Sequence, residues 1–243
     1  MKAMVLAAGL GTRLRPLTDD RPKALVEIAG CTLLEITLTR LRAFGIREVI
    51  INTHHFADMI AEYLKTNHDF GLRIEISREE ILLDTGGGLK KAAWFLENSS
   101  DEPFILHNVD VISSIDLGRM VRWHTEHQAL ATLAVQERET SRHLLFDDQL
   151  QLCGRRTGAR TELVCPSPRP QARGFCGIHV ISPRIFSMMT EAGVFSIIPC
   201  YMRLAAQGEK ILGFPADEYY WRDLGRPEHI AQVIQDWKRK VSM

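Results

Sequence analysis

The sequence predicts an α/β protein built on one mostly parallel sheet, and three observations carry that prediction. Apolar runs of strand length alternate with amphipathic segments of helix length. No internal repeat or interdomain linker interrupts the alternation, so the 243 residues read as a single domain. The first apolar run dissolves into glycines, and a later one ends on a carboxylate, as at the ligand-binding carboxyl edge of such sheets.

The elements follow in order. "KAMVLA" (2–7) reads as a buried strand. "TLLEITLTRLRAFG" (32–45) reads as a helix, with Thr32 as N-cap, Leu34, Leu38 and Leu41 on one face, and Gly45 ending it. "EVIIN" (48–52) and "RIEIS" (73–77) are strands around the helix "ADMIAEYLK" (57–65). "DTGGG" (84–88) reads as a glycine loop that opens the helix "LKKAAWFLE" (89–97), and "PFILHNVD" (103–110) as a strand. A helix near 116–127 and the strand "LATLAVQ" (130–136) come next. Residues 139–173 break the pattern: rich in Arg, Pro, Ser and Gly, they read as a long loop with one hairpin, "HLLFDDQLQLCG". "GFCGIHVIS" (174–182) and "KILGFPA" (210–216) are strands either side of the helix "IIPCYMRLAAQG" (197–208). "YYWRDLG" (219–225) leads into a last helix from about Pro227.

Composition narrows the function classes. Lys plus Arg and Asp plus Glu each number 30, so the net charge is zero, against a general nucleic-acid or membrane-surface binder. Five cysteines without framework spacing predict reduced thiols and a cytoplasmic protein. The apolar start meets Arg13 and Arg15 too soon for a secretory signal, and no run approaches a membrane span.

The informative stretch is "MVLAAGLGTRLRPLTDDRPKALVEIAG" (4–30). It lacks the Lys of a Walker loop and the third glycine of a dinucleotide fingerprint. Ala7, Ala8, Gly9 and Gly11 carry almost no side chain, so backbone N–H groups can approach a phosphate, with Arg13 and Lys23 supplying charge. A glycine turn beside a solvated basic loop fits the same residues. Asp110 and Asp223 both end strands; two such carboxylates suit Mg²⁺, and each alone equally suits a turn cap.

The pattern G-x-G-T-R-L-x-P-L-T followed by P-K resembles the signature of the sugar-1-phosphate nucleotidyltransferases, also called nucleotide-diphospho-sugar pyrophosphorylases. Gly9, Gly11, Thr12, Arg13, Leu14, Pro16, Leu17, Thr18, Pro22 and Lys23 fall in register. The resemblance implies a Rossmann-like three-layer sandwich with a mixed, mostly parallel central sheet. It implies Mg²⁺-dependent conversion of an NTP and a sugar 1-phosphate to an NDP-sugar and pyrophosphate. Arg13 and Lys23 would be catalytic, and Asp110 and Asp223, the latter in "WRDLG", would hold the metal. Ala7, Ala8, Gly9, Gly11, Thr12, Thr85, Gly86, Gly87 and Asn108 would bind the nucleotide. Residues 1–128 would mainly serve the nucleotide, 129–225 the sugar phosphate, and 226–243 would form a C-terminal helix. Val109 departs from the family's usual glycine, and the family's E-K-P lysine is missing; Arg138, Arg142 and Arg173 are the candidates to replace it, and a solvated basic loop fits each of them equally, while Gly177 falls in the family's sugar-pocket strand. His54, His55, His124 and His127 have no partners at motif spacing and read as surface or core residues.

Among branches of the family, the short length and "DTGGG" look most like the N-acetylmuramate 1-phosphate uridylyltransferases, followed by the mannose-1-phosphate guanylyltransferases. The chain would end after the catalytic domain, without the β-helix that some relatives carry. Two rival readings are a cytidylyltransferase for phosphocholine, which calls for an aromatic cage, and a non-catalytic nucleotide-sugar sensor. A sensor would be expected to lose a phosphate lysine or a metal aspartate, and this chain keeps Lys23, Asp110 and Asp223.

Overall fold

The protein is seen in a computed structural model that describes residues 1–97 and 101–241; the expected C-terminal segment runs beyond these at 242 and 243. The chain opens with β1 (Lys2–Leu6), two single 3₁₀ turns, and a small hairpin, β2 (Glu27–Ile28) with β3 (Cys31–Thr32). Thr32 then caps α1 (Leu33–Ala43): its hydroxyl accepts the Glu35 N–H at 3.0 Å, as its position in the sequence predicted. β4 (Glu48–Thr53), α2 (Ala57–Thr66) and β5 (Arg73–Arg78) follow, then α3 (Asp84–Lys91) and α4 (Ala93–Leu96). β6 (Phe104–Asn108) turns through Val109 and Asp110 into the short β7 (Val111–Ser113), and α5 (Leu117–Glu126) leads to β8 (Ala131–Gln136). The second half adds β9 (Arg142–Phe146), β10 (Leu152–Thr157), β11 (Arg160–Leu163) and the long β12 (Gln171–Ile181). α6 (Ile185–Met188), α7 (Ile197–Ala206), β13 (Ile211–Pro215), β14 (Trp221–Asp223) and α8 (Pro227–Val241) complete it.

Ten strands form one mixed sheet. β6, β1, β4 and β5 run parallel, as β13 does to β8, while β12 joins β6, β8 and β9 antiparallel. The parallel strands are apolar on both faces because helices cover both. In β1, Ala3 and Val5 pack into the layer that holds α1, α2, α5 and α8. Met4 points the other way, into the layer of α3, α4, α6 and α7. The predicted three-layer sandwich is therefore observed. No helix among the described residues is long and apolar enough to cross a membrane.

The predicted loop at 139–173 is corrected in one respect. Its hairpin gains a third strand, β11, and the whole unit pairs with β12 through Gln171, Ala172 and Arg173. Long-range pairing supplies the order that a polar, proline-bearing sequence does not advertise.

Candidate active site

The register of three parallel strands builds the floor. Leu6 at the end of β1 pairs with Asn52 of β4 on one side and Asn108 of β6 on the other. All three line a cleft of about 570 Å³ at the carboxyl edge of the sheet. Ala7, Ala8, Gly9, Gly11, Thr12 and Arg13 form one wall, and Lys23, Asn108, Val109 and Asp110 another. Arg15 and Arg21 lie outside, exposed beside Asp19 and Asp20 at 3.3 and 2.9 Å.

Lys23 is buried within the second 3₁₀ turn, and its Nζ forms an ion pair with Asp110 Oδ2. Asp223 reaches the same place from the far end of the chain. β14 pairs antiparallel with β7, setting Asp223 opposite Val111, and the Leu224 N–H donates to the Asp110 carbonyl at 2.8 Å. Asp223 Oδ1 accepts the Gly225 N–H at 2.8 Å. A methyl group on Gly225 would fall 2.8 Å from both Asp223 Oδ1 and Arg13 Nη2, so Arg13, Asp223 and the Gly225 backbone are packed together. Arg13, Lys23 and Asp110 line the cleft beside this side-chain-poor loop, whereas Asp223 is not among its lining residues and adjoins it through Gly225.

A profile of the family described as Nucleotidyl transferase matches residues 2–144. The N-acetylmuramate alpha-1-phosphate uridylyltransferase of Caulobacter vibrioides is 36% identical over 234 residues, covering 93% of this chain and 92% of that protein. The chain belongs to the nucleotidyl transferase family. The mannose-1-phosphate guanylyltransferase of Mycobacterium tuberculosis is 31% identical over 99% of this chain, which spans 65% of that longer protein. In fold, the transferase resembles HddC of Yersinia pseudotuberculosis in complex with GMP-PN, with a TM-score of 0.76 at 21% identity, covering 97% of this chain and 99% of that one. A putative glucose-1-phosphate thymidylyltransferase of Bacillus anthracis gives a TM-score of 0.80 at 16% identity, covering 97% and 94%.

The second glycine element of the transferase differs from the sequence expectation. "DTGGG" is not a loop ahead of a helix; it is the first turn and a half of α3. The Gly86 and Gly87 N–H groups, expected to face a base, donate instead to the Phe195 carbonyl at 2.9 and 3.1 Å. Added methyl groups there would lie 2.4 Å from the Phe195 ring and from the Gly193 carbonyl oxygen. The glycines are required by close packing of the 193–196 segment on the helix. Neither lines the cleft, whereas Thr85 does, while its hydroxyl accepts the Ile197 N–H at 3.0 Å.

Several cleft residues escaped the sequence reading, Asn52, Glu79 and Val194 among them. Asn52 Oδ1 accepts the Ala7 N–H at 2.8 Å, and its Nδ2 donates to Glu79 Oε1 at 2.7 Å. Glu79 Oε2 accepts the Leu83 N–H at 2.9 Å, so a buried chain of hydrogen bonds ties the loop after β1 to the approach to α3. Asn52 stands next to last in β4, close to the carboxyl edge of the sheet, which was the available signal for it. Val194, 59% exposed on the cleft rim, carries no such signal.

The arginines expected for the sugar phosphate lie apart from the cleft. Arg138 lies with its guanidinium carbon 4.1 Å from the Trp221 ring centroid and donates to the Phe175 carbonyl at 2.7 Å. Arg173 pairs with Asp217 at 3.2 Å. Arg142 is exposed at the start of β9. None of the three lines the cleft. Gly177 does not line it either, but at φ +72 in β12 it approaches the lining residue Asn108 so closely that a methyl group would fall 2.8 Å from Asn108 Nδ2. Of the four histidines weighed, His124 is a core residue, 3.0 Å from Thr132 Oγ1, with burial lowering its pKa to about 4.

Proposed function

We propose that the chain transfers a nucleotidyl group from an NTP to a sugar 1-phosphate, releasing pyrophosphate, with Mg²⁺ held by Asp110 and Asp223. The observation that carries this reading is the Lys23–Asp110 ion pair in the cleft, beside Arg13 and the bare backbone after β1, with Asp223 next to Arg13 at Gly225. The donor set fits the ion. Both candidates offer hard carboxylate oxygens, and Asp110 Oδ1 and Asp223 Oδ2 have no hydrogen bond among the described residues. Bound there, Mg²⁺ supplies charge neutralisation and orientation of phosphate oxygens.

The protein's own residues account for the rest. A phosphate monoester has its second pKa near about 6, so the attacking oxygen is already anionic at neutral pH and no general base is needed. The barrier lies in bringing two anions together and in the charge that develops on the α-phosphate and the departing pyrophosphate. Lys23, fixed against Asp110, faces the α-phosphate and sugar phosphate; Arg13, packed on Gly225, faces the leaving phosphates. Backbone groups of residues 7–12 cradle the triphosphate, with Thr85 and Asn108 at the nucleoside. Arg138 and Gly177 belong to the acceptor half, residues 129–225. An NTP donor places the reaction in the cytoplasm.

Uridylyl transfer to N-acetylmuramate 1-phosphate is the first pair to assay, because the Caulobacter relative spans nearly the whole chain. Guanylyl transfer to mannose 1-phosphate is the second. A pyrophosphate-release screen of the four NTPs against a panel of sugar 1-phosphates with Mg²⁺ tests the proposal. Turnover with one pair supports it, and no release from any pair rejects it.

A further inference from the structure

The turn that carries Asp110 is gripped from behind by two side chains outside the cleft. Arg40, on the last turns of α1, has no carboxylate partner among the described residues. Its Nη2 donates to the Ile115 carbonyl at 2.5 Å, just beyond the turn. Its Nη1 lies 3.1 Å from His107 Nε2. A guanidinium can only donate, so Nε2 is the acceptor and the His107 proton resides on Nδ1. That Nδ1–H donates to the Asn108 carbonyl at 2.8 Å, just before the turn. One continuous bonded chain therefore joins the two ends of the 108–115 segment through a single helix residue.

The arrangement is expensive for a purely structural contact. Burying a guanidinium without a counter-ion carries a desolvation penalty that an aliphatic side chain avoids, and burial lowers Arg40 to about 10. His107 is wholly buried; burial first, and the neighbouring Arg40 second, hold its pKa down to about 3, so it stays neutral and keeps this tautomer. We infer that Arg40 and His107 are a positioning pair that clamps both ends of the Asp110 turn and so sets where its carboxylate stands. The inference rests on the reading of Asp110 as a metal ligand for its functional meaning, and on the bonded chain alone for its structural meaning.

The test reads both meanings in the full-length protein. Mn²⁺ binding, followed by electron paramagnetic resonance, reports the carboxylate; hydrogen exchange of residues 109–115 reports the turn. Arg40→Met and His107→Phe remove the clamp while keeping bulk, and Arg40→Lys keeps the charge but cannot span both acceptors. Leu41→Ala, also buried on α1, is the control for a destabilised helix that leaves the clamp intact. Expected for Arg40→Met and His107→Phe are faster exchange across 109–115 and Mn²⁺ binding weakened by about tenfold or more, with Leu41→Ala near wild type in both. Wild-type exchange in Arg40→Met, or equal changes in Leu41→Ala, overturns the inference. Should Arg40→Met fail to fold, wild-type exchange and binding in Arg40→Lys overturn it in the same way. Wild-type Mn²⁺ binding by Asp110→Asn refutes the metal reading instead, and exchange alone then decides the clamp.

Discussion

Lys23 Nζ and Asp110 Oδ2 form a direct ion pair across 87 positions of sequence, with side chains only 10% and 18% exposed. The pair joins the basic loop after β1 to the turn after β6, and each partner fixes the other's position. Removing one partner leaves the other desolvated without compensation. Lys23→Met and Asp110→Asn are each expected to lower turnover by about 10²-fold or more and stability by about 1–3 kcal/mol. The double variant should recover part of that stability and none of the turnover. Urea midpoints and pyrophosphate release on the three proteins check both halves; additive stability losses would break the coupling claimed here.

Asp223→Asn separates charge from shape. An asparagine Oδ1 still accepts the Gly225 N–H that Asp223 Oδ1 now accepts, so the packing of Arg13 against Gly225 is kept. The variant should fold with an unchanged urea midpoint and lose turnover by about 10²-fold or more. A near-normal rate would remove Asp223 from the site.

How much of this was legible in the sequence depended on how local each cause is. The stretch 7–23 could be read because small residues, prolines and cations act through neighbouring backbone. Thr32 could be read for the same reason: a cap is satisfied three residues away. The aspartates were visible one at a time, but the β7–β14 ladder that sets the Asp223 strand beside the Asp110 turn is recorded in no local pattern. The Asn52–Glu79 link and the Arg40–His107 clamp were hidden because their partners lie 27 and 67 positions apart. "DTGGG" misled because glycine is a poor helix former. Tertiary packing of Phe195 and Gly193 on the helix outweighs that propensity.

That packing makes a graded prediction. Gly86→Ala places a methyl group 2.4 Å from the Phe195 ring, and Gly87→Ala places one 2.4 Å from the Gly193 carbonyl oxygen. Each should cost about 1–3 kcal/mol by overpacking. Phe195→Ala should relieve the Gly86→Ala clash only in part, because the ring can be cut back while the Phe195 carbonyl oxygen stays 2.9 Å from the added methyl group. It should not rescue Gly87→Ala, whose obstacle is backbone. Equilibrium unfolding of the two single and two double variants is the check, and equal rescue of both would show that the helix shifts as a unit.

The buried histidines set an acid limit on the fold. Burial lowers His107 and His179 to about 3 and His124 to about 4, from an ordinary value of 6.5. Their partners are Arg40 with the Asn108 carbonyl, the Tyr201 hydroxyl, and Thr132 Oγ1. Because the folded pKa values lie below the unfolded one, the unfolded chain binds more protons once pH falls below 6.5. Stability is therefore flat in these groups above about pH 7 and declines as pH drops toward 4. Three such groups remove about 5 kcal/mol between pH 6.5 and 5, a window above most carboxylate titration and comparable to the whole stability of many domains. Urea unfolding at pH 7, 6 and 5 should show this loss, reduced by about a third in His124→Gln, which cannot take up the proton. A stability that does not change over that interval would mean that these side chains are solvated in the native protein.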